Sequence, residues 1–182
     1  MLLGLCGSLR SGSYNLKLMR EAAGRFGADK YVEGDLRLPL FDADLQSAQG
    51  IPESVQRLSD QIAQADAVII ATPEYNKMLS GVLKNALDWV SRTEGNPWLD
   101  KPVAIMSAAG GRSGGERAQA SLRLALAPFS PLLLQGRDVL VAGARTQFDE
   151  NDKLTSERYQ AALERQLDAL RSLTRAAKML QA

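Results

Sequence analysis

The sequence predicts an α/β fold: a doubly wound, five-stranded parallel sheet in the order 2-1-3-4-5 with helices on both faces. Three observations predict it. Short apolar runs alternate with stretches of helical period along the chain. One run, Ala67-Val68-Ile69-Ile70-Ala71, is apolar throughout, as a central strand covered on both faces must be. Unusual loops rich in Gly, Ser and Pro follow the first, third and fourth runs, where this topology gathers a ligand site.

The elements follow in order. Leu2 to Cys6 is the first strand, and it runs into Gly7-Ser8-Leu9-Arg10-Ser11-Gly12-Ser13-Tyr14-Asn15. A helix from Leu16 to Phe26 places Leu18 and Ala22 on an apolar stripe and stops at Gly27. A second strand lies within Asp29 to Gly34, followed by a proline-broken apolar loop from Leu36 to Leu45. Pro52 opens a helix whose period runs through Val55, Leu58 and Ile62 over Ser54 to Ala65. The third strand, Ala67 to Ala71, ends in Thr72-Pro73-Glu74-Tyr75-Asn76. The next helix carries Leu83, Ala86, Leu87 and Val90 on one face until Gly95-Asn96-Pro97. Val103 to Met106 is the fourth strand, and Ser107 to Gly115 is its loop. A helix from Glu116 to Ala127, a fifth strand at Val139 to Ala142 and a closing helix from Ser156 to Leu180 complete residues 1–182 as one domain.

Composition narrows the chemistry. A net charge of +1 implies no broad attraction to nucleic acid or membrane. No apolar run approaches a membrane span, and Met1 leads straight into a strand without a basic leader, so the cytoplasm is the expected compartment. Cys6 is the one cysteine, which rules out an internal disulfide and reads as a small core residue. There is no histidine, hence no imidazole base or zinc ligand.

The first loop has the make-up of a phosphate site. Gly7 and Gly12 give backbone freedom, Ser8, Ser11 and Ser13 give hydroxyls, and Arg10 gives a fixed charge beside a helix N-terminus. An ordinary polar strand-to-helix turn is the competing reading. The P-loop pattern fails, since Ser13-Tyr14 follows Gly12 where Lys-Ser/Thr is required. The dinucleotide pattern fails because Gly4 and Gly7 are not Gly-x-Gly-x-x-Gly. One terminal phosphate, as on a mononucleotide, remains. In the second loop, Pro73 stiffens a wall for a flat ring, with the amides of Glu74, Tyr75 and Asn76 available to ring heteroatoms; a plain turn is the alternative. The four glycines of the third loop let N–H groups approach closely and stabilise negative charge, unless the loop is a mobile surface turn.

Gly7 to Asn15, Pro73-Glu74-Tyr75-Asn76 and Gly81-Val82-Leu83-Lys84-Asn85-Ala86-Leu87-Asp88-Trp89 together resemble the NADPH-dependent FMN reductase family, over Met1 to about Leu126. The resemblance implies a flavodoxin-like fold and tightly bound, non-covalent FMN. It implies ping-pong hydride transfer from NAD(P)H through flavin N5 to quinones, chromate, ferric complexes, azo compounds or free flavin. It also implies a homodimer or homotetramer. By the same resemblance, Ser8, Leu9, Arg10, Ser11, Gly12, Ser13, Tyr14 and Asn15 hold the phosphate and ribityl end, Pro73, Glu74, Tyr75 and Asn76 border the ring, and Ser107 and Gly111 approach its pyrimidine edge. No side chain is required as a catalyst, and none as a metal ligand. Arg112 is a candidate for the donor's phosphate or an anionic acceptor, against a plain solvated arginine.

The chain departs from the family at Ala108, at Arg112 and at Lys77-Met78-Leu79-Ser80. A flavodoxin-type electron carrier without an NAD(P)H site is the alternative function, although such carriers are strongly acidic. A cofactor-free interaction module is a third. The apolar excess of Met78, Trp89 and Trp98 beside the helix face of Leu79, Leu83, Leu87 and Val90 is read as a two-fold interface.

Overall fold

The computed structural model describes residues 1–181. The strands are β1 (Leu2–Cys6), β2 (Tyr31–Gly34), β3 (Ala67–Ala71), β4 (Pro102–Ala108), β5 (Leu132–Leu133) and β6 (Val139–Val141). The helices are α1 (Tyr14–Phe26), α2 (Ala43–Gln49), α3 (Glu53–Gln64), α4 (Gly81–Val90), α5 (Glu116–Leu126) and α6 (Glu157–Gln181). The sheet order is β2-β1-β3-β4-β5, and every pairing is parallel.

The fifth position differs from expectation. It is shared by two segments in line: β5 pairs with the start of β4, and β6 pairs with its end. The excursion through Gly136 interrupts the ladder between them. A side chain fills the break: Gln166 of α6 donates from Nε2 to the Ile105 carbonyl at 2.9 Å and to the Arg137 carbonyl at 2.7 Å.

The two faces of the sheet carry separate cores, and the pleat sorts residues between them. Ala67, Ile69 and Ala71 of β3 face α1 and α6, with Leu18, Met19, Met106, Leu163, Leu167 and Leu170. Val68 and Ile70 face α3, α4 and α5, with Leu58, Ile62, Leu83, Leu87 and Leu122. The expected apolar excess is absorbed here. Trp89 and Trp98 are fully buried, and Trp89 donates its indole N–H to the Pro39 carbonyl at 2.7 Å. Burying each ring stabilises the fold by about 2–3 kcal/mol. Only Met78 of that group is well exposed.

Local chemistry sets the ends. Ser13 caps α1 and Gly27 ends it in the left-handed region at φ +71°. Asp42 caps α2, a helix hidden in sequence by the proline-broken loop before it. Gly7 serves close packing rather than positive φ: a Cβ there would meet Leu83 Cδ1 at 2.5 Å and Ser80 Oγ at 2.8 Å. No helix among the described residues is long and apolar enough to cross a membrane.

Candidate functional site

The carboxyl ends of β1, β3 and β4 lie side by side, so the three loops share one edge of the sheet. Between them lies a cleft of about 370 Å³ lined by Ser8, Arg10, Ser13, Tyr14, Asn15, Pro73, Glu74, Tyr75, Ala108, Ala109 and Gly110. Its volume falls in the usual range for small-molecule sites, roughly 300–1,000 Å³.

On the first loop, Ser13 Oγ accepts from the Leu16 N–H at 3.4 Å, which starts α1 immediately beside the cleft. The N–H groups of Tyr14 and Asn15 open the helix without an intrahelical acceptor, and the helix dipole adds positive potential. Arg10 is exposed beside them, bonded to the Gly12 carbonyl at 3.3 Å and to no carboxylate among the described residues. Leu9, Ser11 and Gly12 stay at the surface, away from the cleft lining. Tyr14 stacks on Phe148 with ring centroids 5.8 Å apart, a contact that no local spacing signalled. Behind the loop, a second cavity of about 310 Å³ opens toward β2 and reaches Cys6. Burial pushes the Cys6 thiol above its usual range, and Sγ contacts the Ser8 carbonyl at 3.5 Å.

The second loop is a tight hairpin. Tyr75 and Met78 exchange backbone hydrogen bonds of 3.2 and 3.1 Å, and Asn76 and Lys77 at its tip have φ of +50° and +68°. These are the two positive φ values of a type I′ turn. The Tyr75 N–H is thereby committed to Met78 and is not offered to the cleft, unlike the reading from sequence. Asn76 lies at the exposed tip, outside the cleft lining. Buried Pro73 forms one wall. The Glu74 carboxylate turns to α5, where Oε2 accepts from the N–H groups of Arg117 at 3.1 Å and Ala118 at 3.3 Å.

On the third loop the structure redistributes the expected roles. The Ser107 hydroxyl is fully buried; it donates to the Gly114 carbonyl at 2.6 Å and accepts from Gln119 Nε2 at 2.8 Å. Gly111 is exposed and outside the cleft lining, and its carbonyl accepts from the N–H groups of Gly114 and Gly143. The residues that reach the cleft are Ala108, Ala109 and Gly110, which offer backbone groups only. Their one signal in sequence is their smallness just after a strand. Asn15 ties this wall to α1: Nδ2 donates to the Ala108 carbonyl and Oδ1 accepts from the Ala108 N–H, both at 2.9 Å. Arg112 is exposed with no ion-pair partner among the described residues. The turn at Ala144–Thr146, which carries exposed Arg145, is bonded to the same loop through Ala144 N–H and the Ala109 carbonyl at 3.0 Å.

A guanidinium, a free helix N-terminus and buried hydroxyls at one end, with a proline wall and small-residue backbone at the other, fit a flat molecule carrying one phosphate. Comparison with known proteins agrees. The sequence profile of the NADPH-dependent FMN reductase family matches residues 1–146. An NAD(P)H-dependent FMN reductase of Pseudomonas aeruginosa is 41% identical over 170 residues, which cover 92% of this chain and 91% of that protein. A quinone reductase of Escherichia coli is 44% identical over 122 residues, 65% of each chain. Among solved structures, the flavoenzyme FerB of Paracoccus denitrificans, an NAD(P)H:acceptor oxidoreductase, superposes with a TM-score of 0.85 at 30% identity, covering 97% of both chains.

Proposed function

Because the chain belongs to the NADPH-dependent FMN reductase family, we propose that its cleft holds FMN and that it transfers electrons from NAD(P)H to quinones and related small acceptors in a ping-pong cycle. The single observation that carries this reading is the convergence of three loops, from three adjacent strands, on one cleft with Arg10 and the α1 N-terminus at one end. When bound, FMN supplies the two-electron chemistry, taking a hydride from the nicotinamide and giving electrons to the acceptor.

The protein's part is positional and electrostatic. Arg10, Ser8, Ser13 and the N–H groups of Tyr14 and Asn15 hold the phosphate end. Pro73, Tyr75 and the Ala108–Gly110 backbone border the ring. The Ala108 N–H is held by Asn15 and the Ala109 N–H by the Val141 carbonyl, which leaves the Gly110 N–H as the donor that would stabilise negative charge there. A chain without histidine is compatible with this chemistry, which asks no imidazole to move a proton. Arg112, with Arg145 on the neighbouring turn, receives the donor's phosphates or an anionic acceptor such as chromate or a ferric chelate. Tyr75 and Met78 are each about half exposed beside the cleft, at 51% and 54%, and a second copy of the chain covers them in a homodimer.

Anaerobic mixing of the FMN-loaded protein with NADPH or NADH tests the proposal. Rapid bleaching of the flavin, followed by recovery on adding a quinone, is expected. A flavin that stays oxidised would instead identify an electron carrier without a nicotinamide site.

A further inference from the structure

α5 cannot cap itself. Its N-cap residue, Gly115, has no side chain and sits at φ +93°. A Cβ there would lie 2.8 Å from both Cβ and Oγ of Ser107, so no capping residue fits. The N–H groups of Arg117 and Ala118 nevertheless have an acceptor, Glu74 Oε2, brought from the other side of the cleft across 43 and 44 residues of chain. A carboxylate at this end of a helix also meets the positive pole of its dipole.

We infer that Glu74 is a positioning residue of the cleft: its carboxylate latches the loop after β3 to the first turn of α5 and thereby fixes the gap between the two walls that border the ring. Glu74 and Ala108–Gly110 line the same cleft, so any slip between the loops changes its width. A second bond joins the same loop to α5 farther on, from the Leu79 N–H to Ser121 Oγ at 2.8 Å, but neither residue lines the cleft, so Glu74 is the tie at the cleft itself. The α1 side is held separately by Asn15 and Ala108. The latch closes within the polypeptide alone, so the cleft has its width before a cofactor arrives. The consequence for FMN rests on the reading of the cleft given above; the latch itself does not.

Three full-length variants test it. Glu74→Gln keeps an acceptor oxygen at the same reach, Glu74→Asp shortens the reach, and Glu74→Ala removes the acceptor. In flavin-free protein, amide hydrogen exchange at Arg117 and Ala118 should quicken by about tenfold in the Asp and Ala variants and by no more than about threefold in the Gln variant. The FMN dissociation constant should follow the same order, rising about tenfold in Asp and Ala with rescue by Gln. Unchanged exchange in the Asp and Ala variants overturns the latch. So does a Gln variant as impaired as Ala. Quickened exchange with an unchanged FMN dissociation constant keeps the latch but overturns its role in the cleft. Wild-type protein that binds no FMN would remove the cofactor reading while leaving the exchange result to decide the latch.

Discussion

Asn15 and Ala108 exchange two hydrogen bonds, each 2.9 Å, across 93 residues of sequence. One end of the pair is the first turn of α1, and the other is the last residue of β4. Both amide atoms of a buried side chain therefore hold backbone in place, with the phosphate end of the cleft on one side and the ring wall on the other. The geometry makes Asn15 a brace between loops, where the motif alone read it as a phosphate contact.

Replacing Asn15 by Leu keeps the volume but leaves the Ala108 N–H and carbonyl without partners. Each buried unpaired group costs roughly 1–3 kcal/mol, so a loss of about 2–4 kcal/mol is expected. Urea unfolding of flavin-free wild type and variant measures it.

Two glycines near the cleft should behave oppositely. Gly115→Ala forces a side chain into the left-handed region and against Ser107, which should destabilise the fold by about 2–4 kcal/mol. At Gly12 a Cβ meets nothing within 4 Å, and Gly12→Ala should stay within about 0.5 kcal/mol of wild type. Melting temperatures decide between them, at about 2–4 °C per kcal/mol for a chain of this size.

Acid stability should depend on Glu33. Arg20 donates to both of its oxygens, at 2.8 and 3.0 Å, and this pairing holds the carboxyl below the usual carboxylate range despite the burial that pushes it up. A pKa depressed by folding contributes stability above the unfolded value, about 4.3, and that contribution disappears as pH falls through the folded value. Glu33→Gln should therefore be less stable than wild type near neutrality, with the gap closing below about pH 4. Unfolding midpoints across that range report the gap directly.

Arg10→Ala removes a guanidinium beside the α1 N-terminus that pairs with no carboxylate among the described residues. The FMN dissociation constant should rise by about 10–100-fold, the equivalent of one charge-assisted contact, with the circular dichroism unchanged. Equilibrium dialysis against FMN provides the measurement. Full flavin retention would remove Arg10 from the phosphate site.

The frame of the fold was legible because strands buried on both faces leave unbroken apolar runs. Ala67–Ala71 is found with the bounds its sequence announces, and α3 keeps the Val55, Leu58, Ile62 stripe. The divided fifth position was not legible, since Leu132–Leu133 is too short for a pattern and follows a proline. At the site, the loops were legible and the hands within them were not. The family resemblance assigns Ser107, Asn15 and Glu74 to the cofactor, yet each polar side chain is bonded to backbone of another segment: Ser107 to Gly114, Asn15 to Ala108 and Glu74 to the start of α5. Which partner a polar side chain takes depends on contacts formed only after the sheet assembles. The same holds for Trp89 and Trp98, whose size marked an interface in sequence: Trp98 fills the core between α4 and the sheet, and Trp89 is buried against Phe41 and the Pro39 carbonyl.

The side chain bridging the interrupted outer position has a temporal meaning during synthesis. The Ile105 carbonyl receives its bond from Gln166, made 61 residues later. At a translation rate of about 5–20 residues per second, the nascent β4 waits roughly 3–12 s for that partner. Until then one margin of the half-made protein stays open on the ribosome, and arrival of the final helix is the event that seals it.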